Sequence, residues 1–210
     1  MAVSTPARNN FLVPVFILSV MIFTGTVAHA QRKFLERAEK EYAAGRDSSK
    51  NVFLVTKSGQ MIAGNEISFT PHKKNRGYDI HKDWIAIDGQ QVPYDSVDIY
   101  QTPDAYSARP KPEINHGYFI HRLRYGKIDL YSYVVDEEVG NGHWNTYHAY
   151  AFKKGSGEIR MLIKQDFSDA VSDNSAVLAE FNNAFPGRVP RFAEKENLRN
   201  LIAIIEEYNK

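Results

Sequence analysis

The apolar positions of this chain first run together, then recur at helical spacing, then alternate, and finally return to helical spacing. The unbroken run is Phe11 to Val27, FLVPVFILSVMIFTGTV. Over residues 31–45, Phe34, Leu35, Ala38 and Tyr42 share one helical face, with Glu36–Lys40 and Arg37–Glu41 as i,i+4 pairs on the other. Gly45 and the polar RDSSK end this short amphipathic helix.

From Asn51 the period becomes two. Val52 to Thr56 predicts a strand, Lys57-Ser58-Gly59-Gln60 a turn, and Met61 to Phe69 a second strand in which Gly64-Asn65 marks a bulge or bend. A polar loop, Pro71 to Asp83, follows. Trp84 to Ile87 then meets Asp88-Gly89 and returns through Gln90 to Tyr94. Asp-Gly between apolar runs signals a tight hairpin, because both central residues of that turn need positive φ. Four short strands at this spacing predict a small antiparallel barrel or roll.

Residues 101–116 hold three of the nine prolines, which predicts a boundary or linker there. Beyond it, Tyr118 to Tyr125 and Ile128 to Val135 flank Gly126-Lys127. Tyr147 to Phe152 and Glu158 to Ile163 flank KKGSG. Asp136 to Asn145 reads as the loop between these two hairpins. Helical spacing returns over Gln165 to Val171, Ser175 to Ala184, and about Glu194 to Tyr208. In the last of these Leu198, Leu201, Ile202 and Ile205 make an apolar stripe.

The expected architecture is therefore α+β, with antiparallel hairpins forming a small barrel or roll, then a second β unit covered by C-terminal helices. The divisions fall at a leader, 1–30; a short helix and linker, 31–50; an N-terminal β unit, 51–105; and hairpins with the helical layer, 106–210.

The opening run gains its meaning from its flanks. Arg8 precedes it, and Ala28-His29-Ala30 stands before Gln31. A basic start, an apolar core and an A-x-A site describe a secretory signal peptide cut after Ala30. A helix needs ~17–25 apolar residues to span a bilayer, so this run sits at the short edge, with Pro14 and Gly25 inside it. Attachment to a membrane follows only if the segment stays uncleaved. A lipid anchor at a bacterial signal site needs cysteine, and the chain has none. The expected location is the periplasm or the cell exterior.

Charge and composition narrow the chemistry. The 26 Lys+Arg against 25 Asp+Glu become equal once Arg8 leaves with the leader. A neutral chain without a basic face argues against nucleic acid as partner. The absence of cysteine removes disulfides, thiol catalysis, Cys-ligated zinc and iron–sulfur clusters together. No H-E-x-x-H, EF-hand or G-x-S-x-G pattern occurs. The pairs His116/His121 and His143/His148 are five apart, an odd spacing that puts their members on opposite faces of a strand. Gly155-Ser156-Gly157 and Gly140-x-Gly142 lie between strands with no helix opening behind them, so turn chemistry explains them better than phosphate binding. No cofactor or metal is expected.

Several segments share an order of motifs with known proteins. FLVTKSGQMIAGNEISF, YGKIDLYSYVV with its Leu130-Tyr131 pair, AFKKGSGEIRMLIKQDF, and the ending LRNLIAIIEEYNK with Tyr208-Asn209 span most of residues 51–210. In that order they resemble a group of small uncharacterised exported proteins of Bacteroidota. Where that group often carries a Cys-Pro pair between its first two C-terminal helices, this chain has Asn174-Ser175, which removes any thiol role. The group has no known activity, so the resemblance implies export and fold rather than function.

The functional expectation rests on aromatic residues. Tyr131 and Tyr133 share one strand face; if the opposite face is core, they point outward to stack on a glycan or line a protein groove. Covered by the C-terminal helices instead, they are ordinary core. Trp144 follows His143 in a Gly-flanked segment and is a second candidate contact. Asp136-Glu137-Glu138 could pair with a distant carboxylate for glycoside hydrolysis, though such a run ordinarily keeps a hairpin solvated. The leading expectation is a non-catalytic cell-envelope protein that binds a protein or glycan partner. The alternative is a hydrolase of envelope or external polymers that uses dispersed Asp, Glu or His residues. Expression in a Gram-negative host and N-terminal sequencing of the exported product is expected to read from Gln31; a product starting at the initiator would overturn the cleavage.

Overall fold

The structure, a computed structural model, describes residues 41–47, 50, 52–71, 82–140, 143–187, 189 and 195–210. The leader, with Ala28, Ala30 and Gln31, and residues 31–40 of the amphipathic segment lie outside the described residues. Residues 41–44 are helical, as expected for the end of that segment.

The protein is α+β, built from two antiparallel sheets and three C-terminal helices. One sheet has eight strands: β1 (Val52–Thr56), β2 (Met61–Gly64), β6 (Val97–Gln101), β7 (Tyr106–Ala108), β8 (Ile120–Arg124), β9 (Ile128–Gly140), β10 (His143–Lys154) and β11 (Arg160–Met161). Their spatial order is β11-β10-β9-β8-β7-β6-β1-β2. The second sheet contains β3 (Ile67–Pro71), β4 (Lys82–Ile87) and β5 (Gln90–Pro93) in chain order. Among the described residues neither sheet closes into a barrel.

The expected strand Met61 to Phe69 is two strands in two sheets. Gly64-Asn65 marks the crossing rather than a bulge within one ladder. Asp88 holds that crossing, its carboxylate accepting from the Asn65 and Glu66 backbone N–H groups at 3.0 Å each. Asp88 and Gly89 have φ of 48° and 85° and join Ile87 to Gln90 as the tight hairpin that Asp-Gly predicted. One sheet takes β1, β2 and β6 from before residue 105 and β7–β11 from after it, so the proline-bearing segment runs within a single compact unit.

Register assigns the core. On one face of the large sheet, Val52 and Leu54 of β1 and Tyr100 of β6 pack against Ile85, Ile87 and Val92 of the small sheet. Further along that face, Ile128, Leu130, Tyr150 and Phe152 meet helices α1 (Lys164–Ala170), α2 (Ser175–Ala184) and α3 (Lys195–Asn209). Phe152 of β10 meets Phe167 edge-on, and Phe167, Phe181 and Phe185 continue as a tilted ring series to the end of α2. Of the expected stripe on α3, Leu201, Ile202 and Ile205 are buried and Leu198 is half-buried, and Ile204, outside the stripe, is buried as well. Asn174 caps α2 by accepting from the Val177 N–H at 3.2 Å. The closing Tyr-Asn is structural. Tyr208 donates to Asp173 at 2.9 Å, and the Asn209 amide pairs with both backbone groups of Ile128 at 2.8 and 2.9 Å. Among the described residues no helix is long and apolar enough to cross a membrane.

The opposite face buries charge. Arg122 of β8 is 3% exposed and Asp129 of β9 is 8% exposed. Arg122 Nη1 donates to Asp129 Oδ2 at 3.3 Å, and its Nε to the Gly45 carbonyl at 2.5 Å. The guanidinium lies 3.6 Å from the Tyr106 ring centroid and 4.4 Å from that of Tyr125. Asp129 also accepts from the Tyr131 hydroxyl at 3.1 Å and the Gly126 N–H at 3.1 Å. Gly45 is required here by close approach, because a Cβ would overlap the Arg122 carbonyl. Removing one partner of such a buried pair strands the other charge without water. Asp129→Ala is therefore expected to cost about 3–5 kcal/mol in urea unfolding; a loss under about 1 kcal/mol, the size of an exposed pair, would show that the cluster is not holding the sheet.

Candidate functional site

The longest hairpin of the protein runs past the body of the sheet. β8 pairs with β9 only over Leu130 to Ser132, so residues from Tyr133 to Gly140 have β10 as their sole strand neighbour among the described residues. At about 3.3 Å per residue this is a two-stranded arm of roughly 25 Å. Asp136 to Asn145, expected as a loop, is largely strand, with Thr146, Asn145 and Trp144 opposite Asp136, Glu137 and Glu138. The expectation missed it for a physical reason. Away from the core neither strand needs alternating apolar residues, so the period-two signal stops at Val135 while the ladder continues.

A cleft of about 500 Å³ lies at the base of this arm. Tyr133, Val134, Val135, Tyr147, Ala149 and Tyr150 supply its walls from β9 and β10. Met161, Leu162 and Ile163 border it where β11 turns into α1, and Glu113, Asn115, His116 and Tyr118 come from the loop between β7 and β8. Val134, Met161 and Ile163 are 47%, 46% and 47% exposed, three of the six large apolar side chains that reach solvent among the described residues. Exposed apolar surface is thus concentrated on one concavity rather than scattered singly.

The loop wall is held in a costly shape. Arg109 forks onto three carbonyls, donating from Nε to Val97 at 3.0 Å, from Nη1 to Gly117 at 2.9 Å and from Nη2 to Tyr94 at 2.8 Å. Its guanidinium also stacks 4.5 Å from the Phe119 ring centroid and 5.0 Å from that of Tyr94. Within this frame Asn115, His116 and Gly117 have φ of 50°, 52° and 73°, three left-handed residues in succession. Asn and Gly tolerate that region; His pays of order 1 kcal/mol. The turn presents His116 and Asn115 to the cleft.

The residues singled out in the sequence fall in different places. Tyr133 lines the cleft and is 8% exposed. Tyr131 is 1% exposed and packs with Ala108, Ile120 and Ala151 on the sheet face away from the helices, its hydroxyl on Asp129. Burial among these neighbours, with the Asp129 charge beside it, pushes the Tyr131 phenol up. Trp144 occupies a register position opposite Glu138, and its side chain lies outside what is described. His121 packs inside, its Nδ1 2.9 Å from Ser107 Oγ and its ring 4.6 Å from that of Tyr42. Tyr118, Tyr147, Glu113 and Ile163 went unremarked as site residues; the one local signal for them is strand alternation, which sets Tyr147 and Ala149 on one face. Among the described residues no group of three or more His, Asp or Glu is placed to hold a metal ion. The chain matches no family model, no curated protein and no solved structure.

Two groups on β10, His148 and the cleft-lining Tyr150, carry an electrostatic signature of burial. His148, opposite Val134 on β10, is held below the usual imidazole range by desolvation. Tyr150 is pushed up to about 12, by burial first and by the neighbouring Tyr42 second. Its hydroxyl is buried with no hydrogen-bond partner. A raised phenol favours the neutral folded form. The contribution is complete below the unfolded value near 10 and is lost as pH rises through about 12. Tyr150→Phe is expected to stabilise the protein by about 1 kcal/mol near neutrality and to flatten the loss over that alkaline window. Urea titrations of both proteins across it check the sign; an unchanged alkaline slope would remove Tyr150 as its source.

Proposed function

We propose that this is an exported, non-catalytic cell-envelope protein, periplasmic or released, that binds a protein or glycan partner at the cleft beneath the β9–β10 arm. One observation carries the reading: Tyr118, Tyr133 and Tyr147 line the same concavity that Val134, Met161 and Ile163 edge with exposed apolar surface. Aromatic walls with an apolar edge bind sugar faces or peptide side chains without needing a reactive group. Export is supported by the basic start, apolar core and A-x-A site of residues 1–30. The resemblance to exported Bacteroidota proteins agrees with it.

The hydrolase reading needs convergent ionisable groups. Besides tyrosines, the cleft lining offers Glu113 and His116. Purified protein offered immobilised oligosaccharides and peptides, with product formation from polysaccharide, peptide and ester substrates followed in parallel, decides between them. The expected outcome is saturable binding without product, weakened at least about tenfold by Ile163→Glu, which places a charge on an apolar rim. Turnover abolished by His116→Ala would overturn the proposal in favour of the hydrolase.

A further inference from the structure

The charge around the cleft selects among partners. Its lining contains no Lys or Arg; Glu113 is the one carboxylate, and it is exposed. From Ile128 to Phe152, the whole of β9 and most of β10, the sequence has four acids and no Lys or Arg. Three of those acids, Asp136, Glu137 and Glu138, follow directly after Val135 of the wall, and Glu138 is exposed. On the loop side Lys111 is engaged by Glu158 at 2.7 Å, and Arg109 is held on backbone carbonyls. Lys164 donates to the Pro186 carbonyl at 2.9 Å, and Arg160 stands exposed next to Met161. The lining thus carries one carboxylate and no lysine or arginine beside its apolar edge, with a second exposed carboxylate, Glu138, farther out on the arm.

Resting on the binding role proposed above, we propose that the occupant of the cleft is an extended segment of a partner polypeptide that alternates Lys or Arg with apolar residues. The chemistry matches on each count. Tyrosine rings attract ammonium and guanidinium groups through the negative ring face. Glu113 and the exposed Glu138 supply the complementary charge that favours a cation. Val134, Met161 and Ile163 receive the alternate apolar side chains of a strand, whose successive residues point to opposite sides. A neutral oligosaccharide would use the rings but gain nothing from the carboxylates. An anionic glycan would be repelled by them.

The test uses three fluorescent probes on the purified protein: a Lys-Leu alternating octapeptide, its Glu-Leu counterpart, and a neutral chitin hexasaccharide. Anisotropy titrations are expected to give saturable binding of the Lys-Leu probe only, weakening as salt is raised. Glu113→Lys, an exposed position, is expected to weaken it about tenfold, and Ile163→Lys by at least as much. Circular dichroism checks that both variants fold. Binding of the hexasaccharide alone would keep the cleft as a binding site and overturn the cationic occupant. Binding of none of the three, or Lys-Leu binding indifferent to both substitutions, would overturn the cationic proposal; the oligosaccharide and peptide screen then decides whether the cleft binds at all.

Discussion

Arg122 is the side chain on which the most separate pieces of this protein converge. It bonds to Gly45 ahead of the first strand and to Asp129 on β9, and it lies between the rings of Tyr106 on β7 and Tyr125 after β8. Asp129 extends the set to Tyr131 and to the Gly126 backbone in the β8–β9 turn. A guanidinium suits this role because it presents donors in a rigid planar fork while its flat faces stack on aromatics. Burying it is expensive, so the geometry around it is tightly specified. That specification holds β7, β8 and β9 in register and fixes where the segment leaving the N-terminal helix crosses the sheet.

Around this point the large sheet carries unequal loads on its two faces. One face is shared between two covers, the small sheet over β1 and β6 and the helices over β8–β10. Between them lies a polar seam where Ser107 meets His121 and His121 meets Tyr42. Neither cover continues along the arm, and the ladder there is supported by β10 alone among the described residues. The cleft forms where the covered sheet gives way to the uncovered hairpin. The loop that closes its other side is pinned by Arg109, which ties that wall to the carbonyls of Tyr94 and Val97 near the small sheet. Strain at His116 persists because this frame over-determines the turn.

Much of the architecture was legible wherever periodicity and burial coincide. Helix α2 has the bounds its pattern predicted, α1 and α3 differ by a residue at each end, and the Asp88-Gly89 hairpin has the backbone its residues demand. The arm was not legible, because a strand outside the core carries no apolar rhythm. The candidate site was half legible. Tyr133 was named from its strand face, yet Tyr131 on that same face is buried on Asp129. Alternation tells which residues share a face and is silent on how far along the strand the cover extends.

Local chemistry therefore determined the helices, the core-facing strands, the tight hairpin turn, the neutral and cysteine-free character of the chain, and the leader-like pattern of residues 1–30. Each of these depends on residues within a few positions of one another. Only the tertiary structure decided that Met61 to Phe69 divides between two sheets, that Arg122 pairs with Asp129, and that Glu113, Tyr118, Tyr133 and Ile163 edge one concavity. These depend on strand order and on contacts between residues far apart in sequence, which are set by the whole pattern of burial and hydrogen bonding at once.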